Sequence, residues 1–289
     1  MIAISGLTKR YRDVLAVDGA SLEVPSGSVC GLLGRNGAGK TTTFKCLLGF
    51  TQPDAGEVRF DGALLTPQTF LQLGYVPERA QLYGWLTGEQ HLELTRRSHP
   101  RYDASWAREL AATFRIDLRR RAKRLSKGQQ TALSLVVALS THPSLLVLDE
   151  PASGLDPVMQ RAVLDLLIDA ATNGATILLS SHQIGQIERA ADRVAIMRDG
   201  RIVVSGDIDD LRENAKIVEA TFDGAIPEFG TPNGVTRIER VGRTVRMFAG
   251  SDAPALAAHC SELGARAVRV LDRGLEDLFL EAVDDGGNV

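Results

Sequence analysis

The chain has 289 residues, 44% of them apolar, which is enough for a sizeable core in one or two domains. Its formal charge of −3 disfavours non-specific nucleic-acid binding, and no apolar run approaches the roughly 18 residues that a membrane-spanning helix needs. The three cysteines, Cys30, Cys46 and Cys260, lack metal-ligand spacing, and the apolar surroundings of Cys30 and Cys46 suit small core side chains.

Met1–Ser5 carries no basic stretch followed by a long apolar segment, so secretion is not expected. Ile2–Ile4, Leu15–Val17 and Ala20–Val24 read as strands, and Pro25-Ser26-Gly27 turns the chain. Tyr11 lies between the first two strands, either as a ring that stacks on a flat nucleobase or as a partly buried surface tyrosine. The apolar run Val29–Leu33 then enters Gly34-Arg35-Asn36-Gly37-Ala38-Gly39-Lys40-Thr41-Thr42, and a helix-like run follows through Phe44, Leu47 and Leu48. Strand, glycine-rich turn and helix in that order are the context of a phosphate-binding loop. The glycines let the backbone wrap an anion, and the first amides of the helix point at phosphate oxygens with the helix dipole behind them. Lys40 is expected to reach the β- and γ-phosphates, and the Thr41 hydroxyl to ligate magnesium.

Thr51–Gly56 is a turn cluster, followed by a short strand Glu57–Phe60 and the turn Asp61-Gly62. Leu73–Val76 reads as a strand ended by Pro77. Glu78 stands at its exit, where parallel strands present functional groups, or else is plain surface. From Gly88 to about Leu118 the pattern is helical, with Leu92, Leu94, Trp106, Leu110, Ala111 and Phe114 available for buried faces and boundaries at Gly84 and Pro100. This predicts a helical insertion over about 85–142. Arg119, Arg120, Arg121, Lys123 and Arg124 make a basic run: a solvated face, or a contact with a partner or with acidic lipid headgroups. No aromatic residues interleave with the charges, as nucleic-acid binding would favour.

Leu125–Gln130 precedes the apolar helical run Ala132–Leu139. Ser126 can cap that helix or donate its hydroxyl to a phosphate, with the Gly128 backbone nearby. Leu145–Leu148 is a buried strand that ends in Asp149 and Glu150. Burying adjacent carboxylates without cations is costly, so Mg²⁺ is expected at Asp149, directly or through water. Glu150 is then placed to orient and deprotonate an attacking water. Ala152–Pro157 is a turn, and a helix over Val158–Ala171 carries Val163, Leu164, Leu167 and Ile168 on its apolar side. The strand Thr176–Ser181 has a polar end at His182, suited to a γ-phosphate hydrogen bond. Val194–Met197, Asp199-Gly200 and Arg201–Val204 form a hairpin pattern. After Glu213 the composition changes. Ile217–Phe222 alternates like a strand, Val235–Val241 and Thr244–Phe248 like a hairpin around Gly242, and Ala253–Leu263, Ala267–Leu271 and Leu275–Val283 read as helix, strand and helix. The tail Gly286-Gly287-Asn288 is expected to be loose.

Over residues 2–212 these segments resemble the ATPase subunits of ABC transporters. The resemblance implies an α/β P-loop NTPase ABC ATPase fold: an N-terminal antiparallel β subdomain, a parallel-sheet core and a helical insertion in residues 1–213, with a small α+β accessory or regulatory domain in 214–289. It implies ATP and Mg²⁺ as cofactors. Tyr11 would stack on the nucleobase, Gly34–Thr42 would cradle the phosphates, and Thr41, Glu78 and Asp149 would surround magnesium. Lys40, Glu150 and His182 would be catalytic, with Ser153–Asp156 as the family's D-loop. Ser126, Lys127, Gly128 and Gln129 correspond to the family signature, which contacts the ATP of an opposing domain. The implied partners are a second copy or a paired ABC ATPase subunit and a separately encoded transmembrane permease, with no nucleic acid. The implied location is cytoplasmic, peripheral on the inner face of the cell membrane through that permease. Two positions depart from the family pattern: Lys127 replaces the signature's middle glycine, and Glu78 a glutamine that offers an amide donor. Tyr75–Glu78, Leu125–Gln129 and Ser180–His182 further resemble bacterial ABC-2-type export ATPases. The alternative is a soluble ABC ATPase that regulates or remodels a macromolecule without transport.

Overall fold

In the computed structural model, which describes residues 1–227, 235–250 and 252–283, the N-terminal alternation becomes β1 (Ile2–Tyr11) and β2 (Val14–Val24). The tail Gly286-Gly287-Asn288 lies outside the described residues. The two strands pair antiparallel, from Ile2 against Val24 to Tyr11 against Val14. β2 runs straight through Asp18-Gly19, where the sequence suggested a break between two strands. Gly19 takes a left-handed φ of +64°, and register shifts along the pair absorb the irregularity as bulges.

β3 (Val29–Leu33) leads into α1 (Lys40–Leu47), which is anchored by the buried Phe44 and Leu47. Truncating such a ring to alanine costs about 3–5 kcal/mol. β4 (Ala55–Phe60) and β5 (Ala63–Leu64) complete an antiparallel sheet in the order β2-β1-β4-β5. After α2 (Pro67–Phe70), β6 (Leu73–Val76) stops before Pro77, which has no N–H to give a ladder. The insertion contains α3 (Gly88–Ser98), α4 (Ala104–Thr113) and α5 (Lys127–Leu139), and Pro100 falls between the first two. Leu94 is 47% exposed, contrary to the sequence expectation. The buried side of α3 is carried by His91, Leu92 and Thr95 at helical spacing, which turns Leu94 outward.

β7 (Leu145–Asp149), α6 (Pro157–Thr172), β8 (Thr176–Ser181), α7 (Ile184–Ala190), β9 (Arg193–Arg198) and β10 (Arg201–Asp207) follow. On α6 the buried stripe is Val163, Leu164 and Leu167, whereas Ile168 sits at its edge, 37% exposed. The central sheet has the order β10-β9-β3-β8-β7-β6. Its inner pairs are parallel, and β10 joins through the Asp199-Gly200 hairpin, so the sheet is mixed rather than wholly parallel. Every residue of β3, β7 and β8 is buried, which explains their unbroken apolar runs. Parallel pairing brings the carboxyl ends of β3, β6, β7 and β8 to one edge, the place where open α/β sheets bind ligands.

The chain divides into two compact units, Met1–Ser205 and Gly206–Val289. The second begins with the last two residues of β10 and continues into α8 (Ile208–Glu213), a short helix the sequence reading did not anticipate. β11 (Lys216–Thr221), β12 (Val235–Val241), β13 (Thr244–Ala249) and β14 (Ala267–Asp272) form an antiparallel sheet in the order β12-β13-β11-β14. α9 (Ala253–Glu262) covers one face through Leu256 and Cys260, which pack with Val218, Val245 and Met247, and α10 (Leu275–Val283) ends the described chain. No helix among the described residues is long and apolar enough to cross a membrane.

Candidate functional site

The loop between β3 and α1 tolerates only glycine at two points. Gly39 has a φ of +109°, and a Cβ there would lie 2.5 Å from the Ala16 carbonyl oxygen. A Cβ on Gly34 would lie 2.6 Å from the Met197 carbonyl oxygen. The β9–β10 turn braces the loop, since Gly200 N donates to Ala38 O at 3.0 Å. The first amides of α1 have no intrahelical acceptor and face outward with the positive end of the helix dipole, so this loop end suits an anion. Lys40 is buried, and its Nζ donates to Gly34 O at 2.6 Å and to Arg35 O at 3.4 Å. Burial lowers its pKa below the usual lysine value, with Glu150, Asp149 and Glu78 pulling in the opposite direction. The nearest carboxylate oxygen, Glu150 Oε1, is 3.9 Å from the ammonium.

Asp149 is 2% exposed, and each of its carboxylate oxygens accepts a hydrogen bond. Its Oδ2 accepts from Thr41 Oγ1 at 2.8 Å, and its Oδ1 from Ser180 Oγ at 2.6 Å. The same Ser180 oxygen accepts from Glu150 N at 3.0 Å. One buried hydroxyl therefore orients both members of the carboxylate pair. Glu150 adopts a left-handed φ of +51°, sparsely populated by non-glycine residues, and this turns its side chain away from the strand path. His182 Nδ1 lies 2.8 Å from Glu150 Oε2.

These groups line a cavity of about 820 Å³. Its wall includes Arg35, Asn36, Gly37, Ala38, Gly39, Lys40, Thr41, Thr42, Glu78, Asp149, Glu150 and His182, so the structure brings this part of the sequence-derived set together. Gly34 sits beneath, contributing its carbonyl to Lys40. Val14, Leu15, Ala16, Asp199 and Gly200 also line it, and nothing in their local sequence marks them. Ser180 was legible only as part of a polar strand end, and its two-sided hydrogen bonding depends on the lateral pairing of β7 with β8.

The remaining set lies elsewhere. Ser126, Lys127, Gly128 and Gln129 line a second cavity of about 790 Å³ with Gly154, Leu155 and Asp156. Ser126 caps α5 in a reciprocal box: its Oγ accepts from Gln129 N at 3.2 Å, and Gln129 Oε1 accepts from Ser126 N at 3.1 Å. That leaves the Ser126 O–H as a donor. The turn after β7 spans the two cavities, with Ser153 on the first and Gly154–Asp156 on the second. Tyr11 lines neither. Its ring is 42% exposed, with the Lys9 ammonium 5.6 Å from the centroid.

The donor set fits a magnesium ion held jointly with a phosphate ligand. Thr41, Asp149 and Glu78 offer only oxygen, and the described residues contain no cluster of three His, Cys, Asp or Glu side chains able to hold a metal alone. Mg²⁺ is characteristically bound by one or two carboxylates and completed by substrate phosphates and water. Three carboxylates around the buried Lys40 also call for further positive charge before a polyphosphate can approach.

A protein-family model described as ABC transporter matches residues 17–153. The ABC transporter ATP-binding protein YtrB of Bacillus subtilis (strain 168) is 32% identical over 226 residues, covering 77% of each chain. The Nod factor export ATP-binding protein I of Ralstonia nicotianae is 31% identical over a 297-residue alignment, covering 97% of this chain and 92% of the relative. A solved structure of an ATP-binding subunit of an ABC transporter is 33% identical, with a TM-score of 0.68 over 73% of this chain and 92% of its own.

Proposed function

The chain belongs to the ATP-binding proteins of ABC transporters, and from that premise we propose that two copies, or this chain and a paired ATPase subunit, sandwich ATP and power export through a separately encoded transmembrane permease. The observation that carries the reading is the separation of two phosphate-seeking features in one chain. The P-loop lines one cavity, whereas the capped start of α5, with Ser126, Lys127, Gly128 and Gln129, lines another. A second copy facing the first completes each site, with the free Ser126 O–H and the Gly128 backbone meeting the partner's γ-phosphate.

Within one site, the α1 amides hold the phosphates, Lys40 exchanges its backbone carbonyl partners for β- and γ-phosphate oxygens, and Tyr11, whose exposed ring lies outside the cavity wall, stacks on the part of the base that protrudes from it. Mg²⁺, held by Thr41, Asp149 and Glu78, neutralises phosphate charge when bound. Glu150 accepts a proton from the attacking water through the carboxylate that His182 orients. With Nδ1 donating to Glu150, His182 donates from Nε2 to a γ-phosphate oxygen when the ring carries both protons. Glu78 lacks the amide donor of glutamine and so acts only as an acceptor. Membership of the ABC-2-type export group is supported by the Tyr75–Glu78, Leu125–Gln129 and Ser180–His182 segments and by likeness to a relative named for Nod factor export. On this reading the protein is cytoplasmic and peripheral on the inner face of the cell membrane through its permease, and the segment from residue 214 is an accessory or regulatory domain.

The test is nucleotide-dependent pairing of the Glu150→Gln protein, by light scattering with and without ATP and Mg²⁺, together with co-purification from native membranes. Pairing with ATP and recovery of a membrane permease are expected. An ATP-saturated chain that stays single even beside a permease would refute the sandwich. Pairing without any membrane partner would favour the soluble, regulatory alternative.

A further inference from the structure

A strip of cations on the helical insertion is not used by the nucleotide chemistry. Arg119, Arg120, Arg121, Lys123 and Arg124 are all exposed, they line neither cavity above, and among the described residues none of their side chains pairs with a carboxylate. The nearest acid in sequence, Asp117, instead accepts from Arg119 N at 3.1 Å.

The fold adds aromatic groups that the sequence run lacks. The strip's backbone lies against residues 84–89: Lys123 N donates to Gly84 O at 3.1 Å, Ala122 N to Leu86 O at 2.8 Å, Gly88 N to Arg120 O at 3.3 Å and Glu89 N to Leu118 O at 2.9 Å. This sets Tyr83, 50% exposed, and Trp85, 66% exposed, beside the cations. Their ring centroids are 5.2 Å apart, and Tyr83 also stacks on His91 at 6.2 Å. The buried His91 ring fixes the corner, accepting from Tyr83 N at 3.0 Å through Nε2 and meeting Thr87 O at 2.8 Å through Nδ1. An exposed Trp–Tyr pair next to unpaired Arg and Lys is the chemistry of a bilayer interface. The rings sit at headgroup depth, and the cations meet lipid phosphates.

We propose that this strip, Arg119–Arg124 with Tyr83 and Trp85, is a docking surface for the anionic headgroups of a lipid bilayer, contacted directly by this chain. Nucleic acid fits less well, because Tyr83 is already packed by Trp85 and His91 and cannot admit a base between them. An acidic polypeptide fits less well because the strip lines neither cavity that could seat an extended segment.

The experiment is flotation of the full chain with vesicles of equal parts phosphatidylglycerol and phosphatidylcholine, against pure phosphatidylcholine. It is paired with Trp85 fluorescence in a Trp106→Phe background, since these are the 2 tryptophans of the chain. Expected are binding to the anionic vesicles alone, weakening as salt rises, with a blue shift of Trp85. The triple change Arg119→Gln, Arg120→Gln and Arg121→Gln should reduce binding roughly 100-fold, from about a fivefold contribution per cation. These side chains make no internal ion pair, so the fold should survive. Lys123→Gln with Arg124→Gln gives a second, smaller loss if the triple variant is poorly folded. Equal binding to both vesicle types, no Trp85 shift on binding, or displacement by polyglutamate or by inorganic phosphate beyond a chloride control of equal ionic strength would each overturn the proposal.

Discussion

Ser180→Ala removes one buried oxygen and breaks two hydrogen bonds at once. The first is the 2.6 Å bond to the Asp149 carboxylate, and hydrogen bonds to charged groups contribute about 1.5–3 kcal/mol net. The second is the 3.0 Å bond from Glu150 N, whose donor would be left unsatisfied at a further cost of about 1–3 kcal/mol. Ser180 and Asp149 are 0% and 2% exposed, so solvent does little to offset either loss. A net destabilisation of about 3–5 kcal/mol follows, allowing for partial relaxation. Urea unfolding of the Met1–Ser205 unit, followed through Trp85 and Trp106, should show a lower midpoint with an unchanged slope. ATP turnover should fall as well, because Asp149 and Glu150 lose their common tether. A loss within about 0.5 kcal/mol, the scale of an ordinary surface change, would refute the claim that Ser180 holds the carboxylate pair.

Glu150→Gln should retain ATP binding while turnover in the assembled complex falls by roughly 10²–10⁴, and near-normal turnover would remove Glu150 from the base role. Ser126→Ala should cost about 1 kcal/mol through the lost cap and depress turnover only in the paired state, with single-chain ATP affinity unchanged by calorimetry. Gly39→Ala forces a side chain into a φ of +109° and to 2.5 Å from Ala16 O; calorimetric titration should find ATP binding lost, and an unaltered Kd would contradict the loop geometry. Asp103 is held below its usual value of 3.8 by the Ser105 hydroxyl, the Trp106 amide and His142. A depressed carboxyl contributes stability that is present above that value and is lost as pH falls through its folded pKa. Asp103→Asn, which can still cap α4, should therefore lower stability at neutral pH and flatten its acid dependence; parallel curves for the two proteins would count against the assignment.

Elements whose signals are local were legible in the order of the amino acids. Val29–Leu33 and Leu145–Leu148 are apolar without alternation because a strand covered on both faces has no wet side, and β3 and β7 are buried throughout. Gly39 and Lys40 announced a phosphate loop because only glycine reaches the required φ and only a long cation reaches past it. Ser126 and Gln129 marked a helix start because the capping box closes within four residues. Features that depend on lateral pairing emerged only in the folded chain. Ser180 became the tether of Asp149 and Glu150 only because β8 lies beside β7, and Asp199-Gly200 met the P-loop only because β9 lies beside β3. Asp18-Gly19 looked like a break but was absorbed as a bulge, since the ladder to β1 continues on both sides of it. Tyr83 and Trp85 joined the basic strip through backbone hydrogen bonds between segments distant in sequence, such as Lys123 to Gly84, which no local pattern encodes. Short-range rules are written in neighbouring side chains, whereas the meeting of distant segments is set by strand order and by how the whole chain buries its apolar surface.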